Sequence, residues 1–138
     1  MNRVLTRKKL SEDVFCVTIS APDIARERRA GQFVIVQQDD LSERIPLTIA
    51  DADAAAGWIM LIFQTVGSGT HRLAEVSPGE SIGNLVGPLG QPTEISKVGH
   101  VVCVGGGIGV APLHPIVQAM KQAGNQVTVI MGARTKDL

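Results

Sequence analysis

The first 98 residues carry short runs of apolar and β-branched residues, separated by turns rich in Gly, Pro and acidic side chains. Runs of this length and spacing are typical of antiparallel strands, which assemble into a barrel or a sandwich. The pattern also predicts one short helix over residues 70–76, with Thr70 as its N-cap. The predicted strands cover residues 3–10, 14–19, 31–36, 44–49, 58–63 and 81–86.

The pattern changes at Gly99. Residues 100–104 form an almost unbroken apolar run, as expected for a parallel strand that is covered on both faces. A helix is predicted next, because apolar residues recur at helical spacing: Leu113, Ile116, Val117 and Met120. Gly124 is expected to end this helix, and residues 126–131 read as a second apolar strand.

These patterns predict a β-rich domain over residues 1–98, followed over 99–138 by the first βαβ unit of a Rossmann-like α/β domain. A two-stranded parallel sheet with one helix leaves apolar faces and both sheet edges open. We therefore expect the chain to be a fragment of a longer protein. Self-association of such a truncated chain, as a homo-oligomer, is also expected from the uncovered apolar surface.

A glycine-rich turn lies between the predicted strand and the predicted helix. Glycines let backbone N–H groups approach a pyrophosphate, and the helix N-terminus adds partial positive charge. A purely structural turn is the alternative, since Val110 replaces the third glycine of the usual motif. Ala133 and Arg134 stand where NAD-specific proteins carry an acid, so the turn does not reveal the 2′ group of the cofactor. The predicted NAD(P)-binding residues are Gly105, Gly106, Gly107, Ile108 and Gly109.

Composition and charge argue against nucleic-acid binding, membrane binding and a cysteine-based metal site. The 13 basic and 13 acidic residues balance, which gives no electrostatic case for nucleic acid or an anionic membrane as partner. Cys16 and Cys103 lie in apolar runs and are expected to be buried; two thiols alone are too few for a zinc or iron–sulfur site. The stretch after Met1 is polar and no apolar run is long enough for a membrane span, so we expect a cytoplasmic protein without a signal peptide.

Five short motifs follow one another along nearly the whole chain: GQFV at 31–34, RIPLTI at 44–49, VGSGT at 66–70, GPLG at 87–90 and GGGIGVAPL at 105–113, with GART at 132–135. In this order they resemble the ferredoxin–NADP reductase superfamily. The similarity is greatest to the electron-transfer subunits of dihydroorotate dehydrogenase and sulfide dehydrogenase, and to the small flavin subunit of NADH-dependent reduced ferredoxin:NADP oxidoreductase. For this family the fold is an antiparallel Greek-key, flavin-binding β-barrel followed by an NAD(P) domain.

The resemblance implies an FAD site built from two segments. Arg44 is expected to meet the flavin diphosphate, while Pro46, Leu47 and Thr48 run along the isoalloxazine. Family members usually carry a Tyr against the ring; this chain has none, so the register between Pro46 and Leu47 stays open. Gln64 and Thr65 are further candidates to line the pocket. The second segment, expected to hold the flavin diphosphate, consists of Gly67, Ser68, Gly69 and Thr70. The alternative interpretation of these residues is an ordinary capped turn without a ligand.

The function implied is that of an FAD-containing electron-transfer subunit or reductase, which moves electrons between NAD(P)H and a catalytic or electron-accepting partner subunit. A [2Fe–2S] cluster belongs to related subunits, but this chain has no cysteine cluster to hold one, so the cluster is expected only in a longer parent protein. No catalytic residue is predicted, because the three histidines, His71, His100 and His114, are scattered and hydride transfer to flavin needs no general acid. The alternative is a non-catalytic, regulatory flavin- or nucleotide-binding module.

Overall fold

The computed structural model describes residues 2–39 and 42–132. An N-terminal group of seven strands carries two short helices, and a strand–helix–strand unit follows. The elements are β1 (Asn2–Ser11), β2 (Val14–Ser20), α1 (Pro22–Glu27), β3 (Phe33–Gln37), β4 (Ile45–Asp53), β5 (Trp58–Gln64), α2 (Ser68–Ala74), β6 (Ser81–Ile82), β7 (Asn84–Leu89), β8 (His100–Gly106), a 3₁₀ turn (Gly107–Gly109), α3 (Val110–Gln122) and β9 (Gln126–Gly132).

The seven strands form a nearly closed antiparallel barrel, which confirms the predicted fold class. Their order across the sheet is β6-β1-β2-β5-β4-β3-β7. The two end strands, β6 and β7, are neighbours in the chain and are separated by Gly83 alone. The Gly83 N–H donates to the carbonyl of Gln38 at 3.1 Å, and a Cβ on residue 83 would collide with that carbonyl oxygen. Closure of the barrel therefore requires a glycine at this position.

The barrel core follows from the alternation of apolar residues along each strand. In β5, Ile59, Leu61 and Phe63 point inward and are buried, whereas the intervening side chains are half-buried. Side chains that alternate across a strand fill one face, so this register also decides which residues face outward. Other strands contribute further buried residues to the same core, among them Val4, Val17, Ile19, Val34, Val36 and Ile49.

The second unit has the predicted strand, turn, helix and strand. Strands β8 and β9 pair in parallel, with Val102 opposite Thr128 and Val104 opposite Ile130. Helix α3 packs on one side of this pair and also against β4 of the barrel. On the opposite side Val104 is 68% exposed and Ile130 is 54% exposed, which is the uncovered apolar surface that a two-stranded sheet leaves. The predicted boundary after residue 98 lies between β7 and β8 and stays a prediction.

Three local expectations were wrong. The predicted strand over residues 81–86 is split at Gly83 into β6 and β7. The predicted helix over 70–76 begins earlier, at Ser68, and its N-cap is Gly67 rather than Thr70. Cys16 is half-buried rather than buried, because it lies on the outward face of β2.

Helix α1 was not predicted at all, although Pro22 followed by Asp23 is a typical helix start. Its buried residues Ile24 and Ala25 pack on the core. Among the described residues, none of the helices is both long and apolar enough to cross a membrane.

Candidate functional site

The first predicted flavin segment lies at the start of β4. Arg44 immediately precedes the strand, is exposed, and makes no ion pair with the residues that the structure describes. Leu47 and Thr48 lie within the strand and pair with Val34 and Phe33 of β3. The backbone hydrogen bonds between β3 and β4 fix the main chain of this segment, so the positions of its side chains are fixed as well.

The second predicted segment forms the start of α2. Thr70 is buried, and its hydroxyl accepts from the N–H groups of Val66 and Gly67, at 3.0 and 3.1 Å. The same hydroxyl donates to the Gly67 carbonyl at 3.0 Å. Thr70 therefore holds the loop shut rather than offering its hydroxyl to a ligand. The N–H groups of Ser68 and Gly69, in the first helical turn, have no acceptor within the helix.

The fold brings the two segments together. The Ser68 hydroxyl donates to Oε1 of Glu43 at 3.3 Å. Gly69 lies against Ile45 so closely that a Cβ on residue 69 would be 2.7 Å from the Ile45 Cδ1 atom. A Cβ at position 69 would therefore force the end of the Ile45 side chain to shift. The start of α2 and the residues around Arg44 thus form one surface.

The glycine-rich turn is shorter than the sequence suggested. Gly105 and Gly106 belong to β8, and the turn itself consists of Gly107, with a φ of +55°, together with Ile108 and Gly109. Helix α3 begins directly afterwards at Val110. Ala133 and Arg134, which bear on the cofactor's 2′ group, lie outside the described residues.

A cavity of about 380 Å³ lies between the barrel and this turn. It contains five of the predicted cofactor residues: Pro46, Leu47, Thr48, Thr70 and Ile108. The wall is mostly aliphatic, and its polar side chains are Thr48, Gln64 and Thr70. The turn of the second unit therefore faces the predicted flavin strand of the barrel across one cavity. The remaining lining residues are Ile45, Ile62, Phe63, Gln64, Val66 and Pro112.

The predicted residues outside this cavity are Arg44, Gly67, Ser68, Gly69, Gly105, Gly106, Gly107 and Gly109. Thr65, a further candidate, lines a different depression beside Phe15 and His71. Sequence reasoning missed five of the lining residues: Ile45, Ile62, Phe63, Val66 and Pro112. Alternation along β5 places Ile62 and Gln64 on the same outward face, a signal that the strand prediction already contained.

A wider cleft of about 880 Å³ is lined by residues from α1, β4 and α3. Arginines from the end of α1 line one side, and Gln118 and Gln122 of α3 line the other. Arg28 approaches Asp51 at 3.9 Å in this cleft. None of the predicted cofactor residues lines it, so size alone does not mark the cofactor site.

Other polar residues form no second reactive cluster within the described ranges. His71, His100 and His114 are all exposed; the His71 Nδ1 atom lies 2.8 Å from the Gly67 carbonyl oxygen. In residues 2–39 and 42–132, no group of three or more His, Cys, Asp or Glu is placed to hold a metal ion. Burial raises the pKa of the Cys16 thiol, and the nearby charge of Lys8 opposes this rise.

Comparison with known proteins gives relatives along almost the whole chain, although no family model matches it. A curated dihydroorotate dehydrogenase B (NAD⁺) electron transfer subunit homolog from Thermotoga maritima is 44% identical over 137 residues, which cover 99% of this chain and 49% of that protein. The dihydroorotate dehydrogenase B (NAD⁺) electron transfer subunit of Desulforamulus reducens is 37% identical over 138 residues, covering 97% of this chain and 52% of that protein. The chain thus spans about half the length of the curated relatives it matches.

Solved structures agree with this relationship. The structure of an NADH-dependent reduced ferredoxin-NADP oxidoreductase, determined for insight into flavin-based electron bifurcation, superposes with a TM-score of 0.97 at 44% identity. It covers 99% of this chain and 50% of that chain. Phthalate dioxygenase reductase superposes with a TM-score of 0.76 at 14% identity, over 98% of this chain and 44% of that chain. The second match supports the fold alone.

Proposed function

We propose that the chain belongs to the ferredoxin–NADP reductase superfamily, near the dihydroorotate dehydrogenase electron-transfer subunits, and that it is the flavin-binding part of an NAD(P)H-dependent electron-transfer protein. One observation carries the proposal. Ile108, from the predicted nucleotide turn, lines the same cavity as Pro46, Leu47 and Thr48, from the predicted flavin strand. A nicotinamide that docks at the turn would thereby meet a flavin ring held by β4.

The cavity suits a flavin ring system. A volume of about 380 Å³ is within the usual range of small-molecule sites, about 300–1,000 Å³. Aliphatic side chains from Ile45, Leu47 and Ile62 offer contact to a flat ring, and they stand in for the aromatic stack that a chain without Tyr cannot make. Thr48 and Gln64 supply polar groups for the edge of the ring.

The diphosphate of FAD would lie outside the cavity, on the surface that the two segments share. Arg44 offers a guanidinium that suits phosphate oxygens, and the N–H groups of Ser68 and Gly69 can donate to them. Glu43 lies beside Ser68 and opposes this assignment, because a carboxylate repels a diphosphate. We propose that the Arg44 charge and the free N–H groups outweigh Glu43.

Bound FAD and NAD(P)H would supply the hydride chemistry themselves. The tasks left to the chain are to bind both cofactors, to align them and to exclude water between them. Ile108 and Pro112, from the second unit, line the cavity together with residues of β4 and would exclude water from that part of it. No acid or base in the cavity is required for these tasks.

The partner and the wider reaction are also proposals. Two relatives are electron transfer subunits by name, so we propose a catalytic or electron-accepting partner subunit for this protein as well. We propose a [2Fe–2S] cluster only for a longer polypeptide that would contain this chain, because the two cysteines present here are too few to bind one. We propose the cytoplasm as its compartment, where free thiols such as Cys16 and Cys103 persist.

The competing hypothesis is a regulatory module that binds flavin or nucleotide without turnover. The purified protein is saturated with FAD, freed of excess cofactor and titrated anaerobically with NADH or NADPH. The electron-transfer hypothesis predicts a flavin absorption band that one nucleotide bleaches. A retained band that neither nucleotide bleaches in the full-length natural polypeptide favours the regulatory module. A protein that retains no flavin contradicts the electron-transfer hypothesis, and one that binds neither flavin nor nucleotide contradicts both.

A further inference from the structure

The polar side chains that line the cofactor cavity differ in how many of their hydrogen-bonding groups already have a protein partner. The Thr70 hydroxyl is already used three times, by Val66 and by both backbone groups of Gly67. Gln64 is different: its side chain makes one hydrogen bond, from Nε2 to Oδ2 of Asp13 at 2.9 Å. The hydrogen bonds among the described residues leave the Gln64 carbonyl oxygen, Oε1, without a protein donor.

Asp13 lies in the turn between β1 and β2, 51 residues before Gln64 in the chain. Its backbone carbonyl accepts the N–H of Thr65 at 2.8 Å and the Thr65 hydroxyl at 3.3 Å. Neighbouring ladder pairs, with Val14 opposite Gln64, fix the two strands in register. Asp13 is therefore held at the end of β5 by main-chain contacts that do not depend on its own side chain.

The chemistry of this pair settles which way the amide faces. A carboxylate can only accept hydrogen bonds, so Gln64 must turn its NH₂ group toward Asp13. The opposite end of the amide is then the carbonyl oxygen, an acceptor. Gln64 lines the cavity, and a free acceptor on it would suit a bound molecule that carries a hydrogen-bond donor.

We propose that Asp13 is a positioning residue that orients Gln64, and that Gln64 accepts a hydrogen bond from a ring N–H of the bound cofactor. This inference rests on the proposed flavin site. An oxidised isoalloxazine has a single ring N–H, at N3, and its other polar ring atoms are acceptors. Gln64 would therefore recognise the pyrimidine edge of the flavin, and the carboxylate of Asp13 would act only through Gln64.

The test uses FAD and its N3-methylated analogue, which lacks the only donor of the oxidised ring. Dissociation constants are measured for the wild-type protein and for Gln64→Leu, Asp13→Ala and Asp13→Asn. Wild type should prefer FAD by about fivefold, the usual effect of one hydrogen bond. Gln64→Leu and Asp13→Ala should lose that preference. Asp13→Asn should recover part of it, because the Asn carbonyl can still accept from Gln64.

Two matched controls separate positioning from general damage. Gln118→Leu and Asp23→Asn change the same residue types at exposed sites outside the cavity, and both should keep the preference for FAD. The double variant of Asp13→Ala and Gln64→Leu should be no worse than Gln64→Leu alone, since Asp13 acts through Gln64. Equal binding of both flavins by wild type overturns the inference and leaves the flavin site standing. A preference that survives in Gln64→Leu also overturns it, and no FAD binding at all overturns the inference together with the proposed function.

Discussion

The side chain of Asn125 accepts the backbone N–H of Val98 at 2.7 Å, from 27 residues further along the chain. The same oxygen accepts the N–H of Gly99 at 2.9 Å, while its amide nitrogen donates to the carbonyls of Ser96 and Met120 at 2.9 and 3.0 Å. One side chain, only 6% exposed, thus fastens the linker after the barrel to the end of α3. These hydrogen bonds therefore hold the C-terminal end of α3, the helix that follows the nucleotide turn, in place.

Replacing Asn125 by Ala should lower the free energy of unfolding by about 1–3 kcal/mol, because the backbone groups of Ser96, Val98 and Gly99 lose a hydrogen-bond partner and the Met120 carbonyl keeps only the N–H of residue 125. Urea denaturation followed by circular dichroism measures this. The control is Gln126→Ala, an exposed neighbour in β9, which should change stability by at most about 0.5 kcal/mol. Equal stability of the two variants would show that the network is not structural.

Gly83→Ala should destabilise the barrel by about 1–3 kcal/mol. The added methyl group would collide with the Gln38 carbonyl oxygen and force residue 83, between β6 and β7, away from it. The matched control is Gly132→Ala, whose new methyl group meets no described atom within 4 Å. Thermal unfolding distinguishes them: a drop in melting temperature confined to Gly83→Ala is expected. A normal melting temperature for Gly83→Ala would contradict the account of barrel closure.

Two adjacent charges should act oppositely on flavin retention. Arg44→Ala should weaken FAD binding by about tenfold or more, through loss of a charge-assisted contact to the diphosphate. Glu43→Gln should strengthen it by about twofold to fivefold, because a repulsive charge is removed near the surface. Fluorescence titration with FAD measures both. Arg29→Ala, at an exposed arginine outside the cofactor cavity, is the control. Unchanged affinity in Arg44→Ala would remove that residue from the site.

The Cys16 thiol should resist alkylation at neutral pH. Burial raises its pKa, so the reactive thiolate forms only at a higher pH than in an unfolded chain. Between those two pKa values the unfolded chain has lost its proton and the folded chain has not, so stability falls there as pH rises. Iodoacetamide labelling of a Cys103→Ser protein across alkaline pH should give a later rate increase for the native than for the urea-unfolded protein. Coincident profiles would contradict this.

The sequence predicted the features that depend on local pattern. Period-two alternation places the barrel strands, and the glycines between an apolar run and a helical pattern place the turn before α3. Non-local approaches could not be predicted. The break at Gly83 depends on the Gln38 carbonyl from another strand, and the role of Gln64 depends on a carboxylate 51 residues away. The N-cap error at Thr70 has a local origin instead, because its hydroxyl accepts from the preceding N–H groups of Val66 and Gly67 and closes the loop before α2.

The central claim is that the cavity between β4, β5 and the nucleotide turn holds a flavin. Equilibrium titration of the purified protein with FAD tests it most directly, alongside Thr48→Trp, which fills the cavity, and Leu5→Trp, which adds the same ring at an exposed site elsewhere. We expect one FAD per chain for wild type and Leu5→Trp, and binding weakened by at least about tenfold in a folded Thr48→Trp protein. Wild type that binds no FAD, or a folded Thr48→Trp protein that binds it as tightly as wild type, would contradict the claim.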